Sequence, residues 1–238
     1  MELPEIAILL GSLDAEQSPT AACFSPGGTL QGRAVVLPSA FNPPTIAHVR
    51  LLELSKQIAG ADSAVALLTT RNVAKGVFGA GLPDRIAMLL ALQDSQPGLS
   101  VVAANVARIA DQAKALRAAL PGVAFDFVLG YDTLVRLFEP RFYTDMSAEL
   151  AAFFADHRVI AANRAQASVD TVHAFLTEPD VEPFANRITV LALDDHSASL
   201  SSTGAREEVA TGNDSDALPP PVFTYIREHG LYTGWQPT

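Results

Sequence analysis

Ala34-Val-Val-Leu-Pro-Ser-Ala-Phe-Asn-Pro-Pro-Thr-Ile-Ala-His48 changes character halfway along its length. Ala34 to Pro38 is a short, continuous apolar run with two β-branched residues, the pattern of a strand buried on both faces. Pro43 and Pro44 then suit helix entry, because the opening N–H groups of a helix have no intrahelical partners to lose. From Val49 to Ala59 the apolar residues recur with helical period, giving a stripe that can lie on a sheet. Strand, tight turn and helix in that order form the repeating unit of parallel α/β sheets.

The unit recurs. Ser63 to Thr69, Leu99 to Ala103, Phe125 to Leu129, His157 to Ala161 and Ile188 to Leu193 read as buried strands. Asp84 to Leu92, Ile109 to Leu120 and Val169 to Leu176 read as helices between them. A doubly wound, parallel, Rossmann-like α/β sheet is expected, with ligands beyond the carboxyl ends of its strands. Residues 1–33 read as an N-terminal extension, a short helix and a loop, and residues 34–238 as one domain. Gly212 to Asp216 and Pro219 to Pro221 make a turn-rich break, after which Val222 to His229 forms a last helix closed by Gly230 at C′.

The net charge of −10 over 238 residues supplies no field that would draw in nucleic acid or acidic lipid, so neither is an expected partner. Any anion must be caught locally, and the 13 arginines against three lysines favour bidentate phosphate contacts. One cysteine, Cys23, excludes an internal disulfide or a multi-cysteine metal site. The first 13 residues lack the basic start of a secretory signal, and no apolar run approaches the roughly 20 residues of a bilayer span. A soluble, cytoplasmic protein is expected; homo-oligomer formation is left open.

The helix start after Pro44 is an anion site, because its free N–H groups and the positive end of its dipole face the same way. Thr45 and His48 lie three apart on one face and lean toward that end, so both are expected to reach a bound phosphate. Ser201-Ser-Thr203 opens another helix, whose hydroxyls either cap it or hold phosphate, with Arg206 read as an exposed arginine projecting from its first turn. Gly130 and Asp132 follow a strand end, where the carboxylate either caps a helix or accepts from a ribose or amide. No G-x-G-x-x-G follows the first strand, which removes the usual dinucleotide redox reading.

Phe41-Asn-Pro-Pro-Thr-Ile-Ala-His48 resembles the [H/T]-x-G-H signature of the nucleotidylyltransferase superfamily, in the form carried by nicotinamide-mononucleotide adenylyltransferases. Gly130-Tyr-Asp-Thr-Leu134 resembles that family's Gly-x-Asp segment, Leu200-Ser-Ser-Thr-Gly-Ala-Arg206 its Ile-Ser-Ser-Thr-x-x-Arg segment, and Tyr225 to Tyr232 its C-terminal helix. Gly130 to Tyr143 looks closer to a divergent eukaryotic-type subgroup than to the compact bacterial enzymes.

The resemblance implies the nucleotidylyltransferase fold and adenylyl transfer from ATP to nicotinamide or nicotinate mononucleotide, with substrate-bound Mg²⁺. It assigns catalysis to Thr45, His48 and Arg206. It gives phosphate contacts to Ser39, Ala40, Phe41, Asn42, Lys75, Ser201, Ser202 and Thr203, and nucleotide contacts to Gly130, Asp132 and Arg164. Arg85 and Met88 match a family helix and read as packing or pairing residues. Other phosphorylated acceptors and a non-catalytic nucleotide-binding regulator are the alternatives. The chain departs from the family at Ser39-Ala40, at Ala47, and in having no Trp-Glu pair after the third strand to hold the pyridine ring. Tyr131, Phe138 and Tyr143 are the aromatic candidates to replace it.

Overall fold

The computed structural model describes residues 1–16, 18–25, 30–71, 79–163 and 167–234. Among them, strands β1 (Ala21–Cys23), β2 (Arg33–Pro38), β3 (Ser63–Thr69), β4 (Leu99–Ala104), β5 (Ala124–Gly130), β6 (Arg158–Ala162) and β7 (Ile188–Leu191) form one sheet. Their order is β1-β4-β3-β2-β5-β6-β7. The six expected runs are the six parallel strands, and β1 is an addition. It pairs antiparallel with β4 in a segment expected to be loop, so the sheet is parallel except at that strand. Three residues, Ala-Ala-Cys, are too few and too small to show strand periodicity, and β1 exists because β4 offers it hydrogen bonds.

Helices α1 (Leu3–Ala15), α2 (Ile46–Ala59) and α3 (Leu82–Leu90) are followed by α4 (Ile109–Ala119), α5 (Tyr131–Leu137), α6 (Met146–Asp156) and α7 (Val169–Phe175). Short α8 (Asp195–Ser199), α9 (Ser202–Ala210) and α10 (Pro220–Glu228) complete the described helices. α6 has no counterpart among the expected helices. Its Ala-rich sequence with adjacent Phe153 and Phe154 carries little helical periodicity. No described helix is long and apolar enough to cross a membrane.

Alternate residues of each strand enter different cores. Val35 and Leu37 of β2 join the side chains of α1, α2, α3, α9 and α10, whereas Ala34 and Val36 join those of α4 to α7. Right-handed crossovers dictate this division: the chain steps one way from β2 to β4 and the other way from β5 to β7, so its helices fall on opposite faces. β2 and β5 are therefore neighbours whose continuing chains diverge, leaving a crevice at their carboxyl ends. At the opposite end, buried Asp126 accepts from Arg33 (2.8 Å) and Arg158 (3.1 and 2.5 Å), tying β2, β5 and β6 together.

His157, between α6 and β6, lies edge-on to Phe127 at 5.5 Å and tilted against Phe153 at 5.2 Å. Its Nδ1 lies 3.1 Å from the carbonyl of Phe125, which accepts only, so the proton sits on Nδ1. Burial holds its pKa below the usual 6.5. The unfolded chain therefore takes up the proton first, and this contribution to stability is complete above pH 6.5 and is lost as the pH falls through the lowered folded value. Melting curves should show wild type losing its Tm advantage over His157→Asn between about pH 7 and pH 5; an advantage constant over that range would exclude the effect.

Candidate active site

The segment 39–45 leaves β2 and turns across the crevice. Ser39 N–H still donates to Leu67 O of β3 (3.1 Å), so the turn begins from the sheet itself. Phe41 has φ 44°, a left-handed conformation that a non-glycine residue keeps only where its surroundings hold it. Its ring is buried and packs on His48 with centroids 5.0 Å apart.

Thr45 caps α2, and His48 stands at the third helical position. The N–H of Thr45 donates to His48 Nδ1 at 3.0 Å, with the Thr45 hydroxyl 2.8 Å from the same atom. A backbone N–H can only donate, so Nδ1 is the acceptor and the proton of the neutral ring is on Nε2. That atom lies 3.1 Å from Ser39 Oγ. Thr45 is fully buried. Expected to reach phosphate itself, it instead orients the ring of His48.

The distal motif arrives at the same turn. Ser202 Oγ donates to Pro43 O at 2.8 Å, and Arg206 donates through one terminal nitrogen to Asn42 O at 2.5 Å and through the other to Thr203 Oγ1 at 3.1 Å. Ser201 caps α9, accepting from Gly204 N–H at 3.0 Å, and its side chain is exposed beside the helix start. The expectation of an exposed Arg206 is corrected: the residue is 5% exposed. The helix turns it inward because Asn42 offers a buried carbonyl, and burial lowers its pKa from the ordinary arginine value.

Asn42 itself is the knot of the turn. Its Oδ1 accepts from Ala80 N–H (3.2 Å) and from the phenol of Tyr232 (2.8 Å). Arg85 donates to Ala80 O (2.8 Å) and Ala40 O (3.4 Å) and is 7% exposed. Gly79 has φ 77°, and a Cβ there would lie 2.7 Å from the Asn42 amide, so only glycine lets these two segments meet. Arg85 and Tyr232 belong to this site although no local sequence pattern announced it; the signal available was their membership of family-like helices. Ala40 is exposed on the turn.

Gly130 ends β5 and caps α5. Asp132 is therefore in the first turn rather than at the cap, exposed, at the same sheet end as the 39–45 turn. Lys75 and Arg164 lie outside the described residues. Of the three aromatic candidates, Phe138 is corrected: it is buried among Phe154, Phe175 and Phe184, because α6 and α7 close over it. Tyr131 meets Phe175 edge-on at 5.8 Å. Tyr143 lines a cavity of about 160 Å³ with Arg108, Thr133, Arg136 and Phe142. Its hydroxyl donates to Leu137 O at 2.5 Å, and the Arg108 guanidinium covers its ring at 4.9 Å. Burial pushes the Tyr143 phenol up to about 12. Arg108 is ion-paired with Asp111 (3.3 Å) and with Glu149; Arg136 has no ion-pair partner among the described residues.

Removing Arg206 leaves a buried carbonyl without its charged donor, at a cost of about 1 to 3 kcal/mol. Arg206→Ala should accordingly lower stability, read by urea unfolding. A variant as stable as wild type would contradict the burial described above.

No protein-family model matches the chain. It is 26% identical over 203 residues to a Bordetella pertussis protein named "Probable nicotinate-nucleotide adenylyltransferase", covering 84% of this chain and 98% of that one. A Schizosaccharomyces pombe protein named "Putative nicotinamide mononucleotide adenylyltransferase" is 28% identical over 133 residues, 54% of this chain and 52% of the other. Among solved structures, the Plasmodium falciparum nicotinic acid mononucleotide adenylyltransferase complexed with NaAD superposes with a TM-score of 0.63 at 14% identity, over 85% of this chain and 98% of that chain. At such identity the structural likeness speaks for the fold. The chain is thus similar in sequence to proteins named as nicotinate-nucleotide and nicotinamide mononucleotide adenylyltransferases, and it brings its two motifs together at one turn.

Proposed function

We propose that the protein transfers the adenylyl group of ATP to a pyridine mononucleotide. The acceptor's phosphate oxygen attacks the α-phosphorus, the bond from that phosphorus to the bridging oxygen breaks, and pyrophosphate leaves with the electron pair. The observation that carries this reading is the meeting of two helix starts, α2 and α9, around one turn with His48 Nε2–H beside it. Such an arrangement offers fixed donors to phosphate oxygens and requires no covalent work of the protein.

In this reading His48 donates from Nε2 to a phosphate oxygen that gains charge in the transition state, and Thr45 keeps Nδ1 engaged so that the ring cannot turn. Ser39, Ala40 and Phe41 supply the turn's backbone to the phosphates, and Asn42 shapes it. Ser201, Thr203 and the start of α9 face the pyrophosphate end. Arg206 adds positive charge from behind the turn, Lys75 contacts the phosphates, and Gly130, Asp132 and Arg164 hold nucleoside groups. Mg²⁺ enters with ATP, held by phosphate oxygens and water in keeping with its slow dehydration. The described residues include no cluster of three or more His, Cys, Asp or Glu side chains suited to a metal ion.

The cavity beside Tyr143 favours nicotinate over nicotinamide as the acceptor's base. Two arginines and no carboxylate line it, and a ring carboxylate can form a charge-assisted pair with Arg136 that a carboxamide cannot. Tyr143 takes the place of the absent Trp-Glu pair as the aromatic neighbour of the ring.

Incubation of the protein with ATP, Mg²⁺ and each of nicotinate mononucleotide, nicotinamide mononucleotide and phosphopantetheine, followed by mass detection of products, tests the proposal. Nicotinate mononucleotide should be used with kcat/KM about 10-fold or more above nicotinamide mononucleotide, and Arg136→Ala should narrow that ratio. Turnover of another acceptor alone would leave adenylyl transfer and remove the pyridine assignment; no turnover with any acceptor would leave nucleotide binding only. His48→Ala should lower kcat by about 10²-fold with a much smaller change in ATP affinity.

A further inference from the structure

We propose that Tyr232, near the end of the chain, is a positioning residue for adenylyl transfer, holding the 39–45 turn in shape through its hydrogen bond to Asn42. The inference rests on the function proposed above. Tyr232 lies beyond α10, and its ring joins the buried cluster formed by β2, α2, α3 and α10. Its backbone has φ 64°, left-handed and unfavourable for a side chain of this size. What holds it there is its own side chain: the ring is 7% exposed and the phenol donates to Asn42 Oδ1 at 2.8 Å.

Asn42 passes this contact on in two directions. Its Oδ1 also receives Ala80 N–H, from the segment that leads into α3, and its carbonyl receives Arg206 from α9. Arg85 closes the circuit from Ala80 O to Ala40 O. The phenol thus lies where the turn, the segment before α3 and α9 are joined, and both buried arginines act electrostatically on it. Burial pushes its pKa up, so the group stays protonated and donates throughout the working range of pH. A turn that carries Phe41 in a left-handed conformation has no intrinsic preference for its shape and depends on such outside contacts.

A control residue is present on the same segment. Tyr225, on α10, donates its phenol to Asp84 Oδ1 at 3.0 Å. Tyr232→Phe and Tyr225→Phe each remove one phenolic hydrogen bond, and each should lower Tm by no more than about 4 °C. Tyr232→Phe should also lower kcat about 10-fold and weaken the calorimetric ATP dissociation constant several-fold, with acceptor KM changed by less than about twofold. Tyr225→Phe should match wild type in all three. Equal kcat and ATP affinity in the two variants would overturn the proposal. Should wild type turn over no acceptor, the proposed function fails by that result alone, and the ATP dissociation constants of the two variants decide the role of Tyr232: weaker binding confined to Tyr232→Phe upholds it, and equal binding removes it.

Discussion

The guanidinium of Arg206 and the carbonyl of Asn42 meet across 164 residues of chain, and the arrangement of the site follows from that contact. A buried arginine is costly unless its donors are used, so α9 can take its place only when the turn after β2 presents its carbonyl, and the turn gains a fixed shape only when α9 arrives. The contact therefore acts as a condition on folding as well as a support for chemistry. Each of the two helix starts is positioned by the other, which is a tighter specification than either has from its own sequence.

The sheet supplies the frame in which this is possible. β2 is central, with β3 on one side and β5 on the other, and the chain leaves these strands toward opposite faces. A turn emerging from β2 consequently has open space in front and rigid strands behind. Asp126 between Arg33 and Arg158 fastens the far ends of β2, β5 and β6, so these strands cannot spread without disturbing a buried carboxylate. Rigid footing below and a shaped turn above are what a reaction governed by placement of two anionic substrates demands.

Much of this was legible in the sequence, for identifiable reasons. Six strands were visible because burial on both faces forces continuous apolar runs, and the helix start at Thr45 was visible because Pro43 and Pro44 mark it. The motif residues were found, but not the directions in which they point. Thr45 and Arg206 have the chemistry of phosphate ligands and are buried against protein partners, a fact fixed by tertiary distance and not by spacing. Phe138 likewise has the right chemistry for a ring platform, yet α6, whose periodicity is faint, covers it. Arg85 and Tyr232 were hidden for the same reason: they meet Asn42 and its neighbours from 45 and 190 residues away.

The three residues of β1 have a consequence for how copies of the protein meet in solution. β4 is buried along all six positions, Leu-Ser-Val-Val-Ala-Ala, and its outer hydrogen-bonding groups would be open were β1 not paired to them in register from Ala21↔Ala104 to Cys23↔Val102. Phe24 N–H and Ser25 Oγ extend the cover to both polar groups of Val101. A chain lacking these few residues would keep its central strands and its site, yet it would present an apolar strand ready to continue the sheet into a second molecule. The segment thus covers an edge that would otherwise be open to sheet continuation, and its weak strand propensity is no handicap there, since a short strand that ends the sheet need only be present.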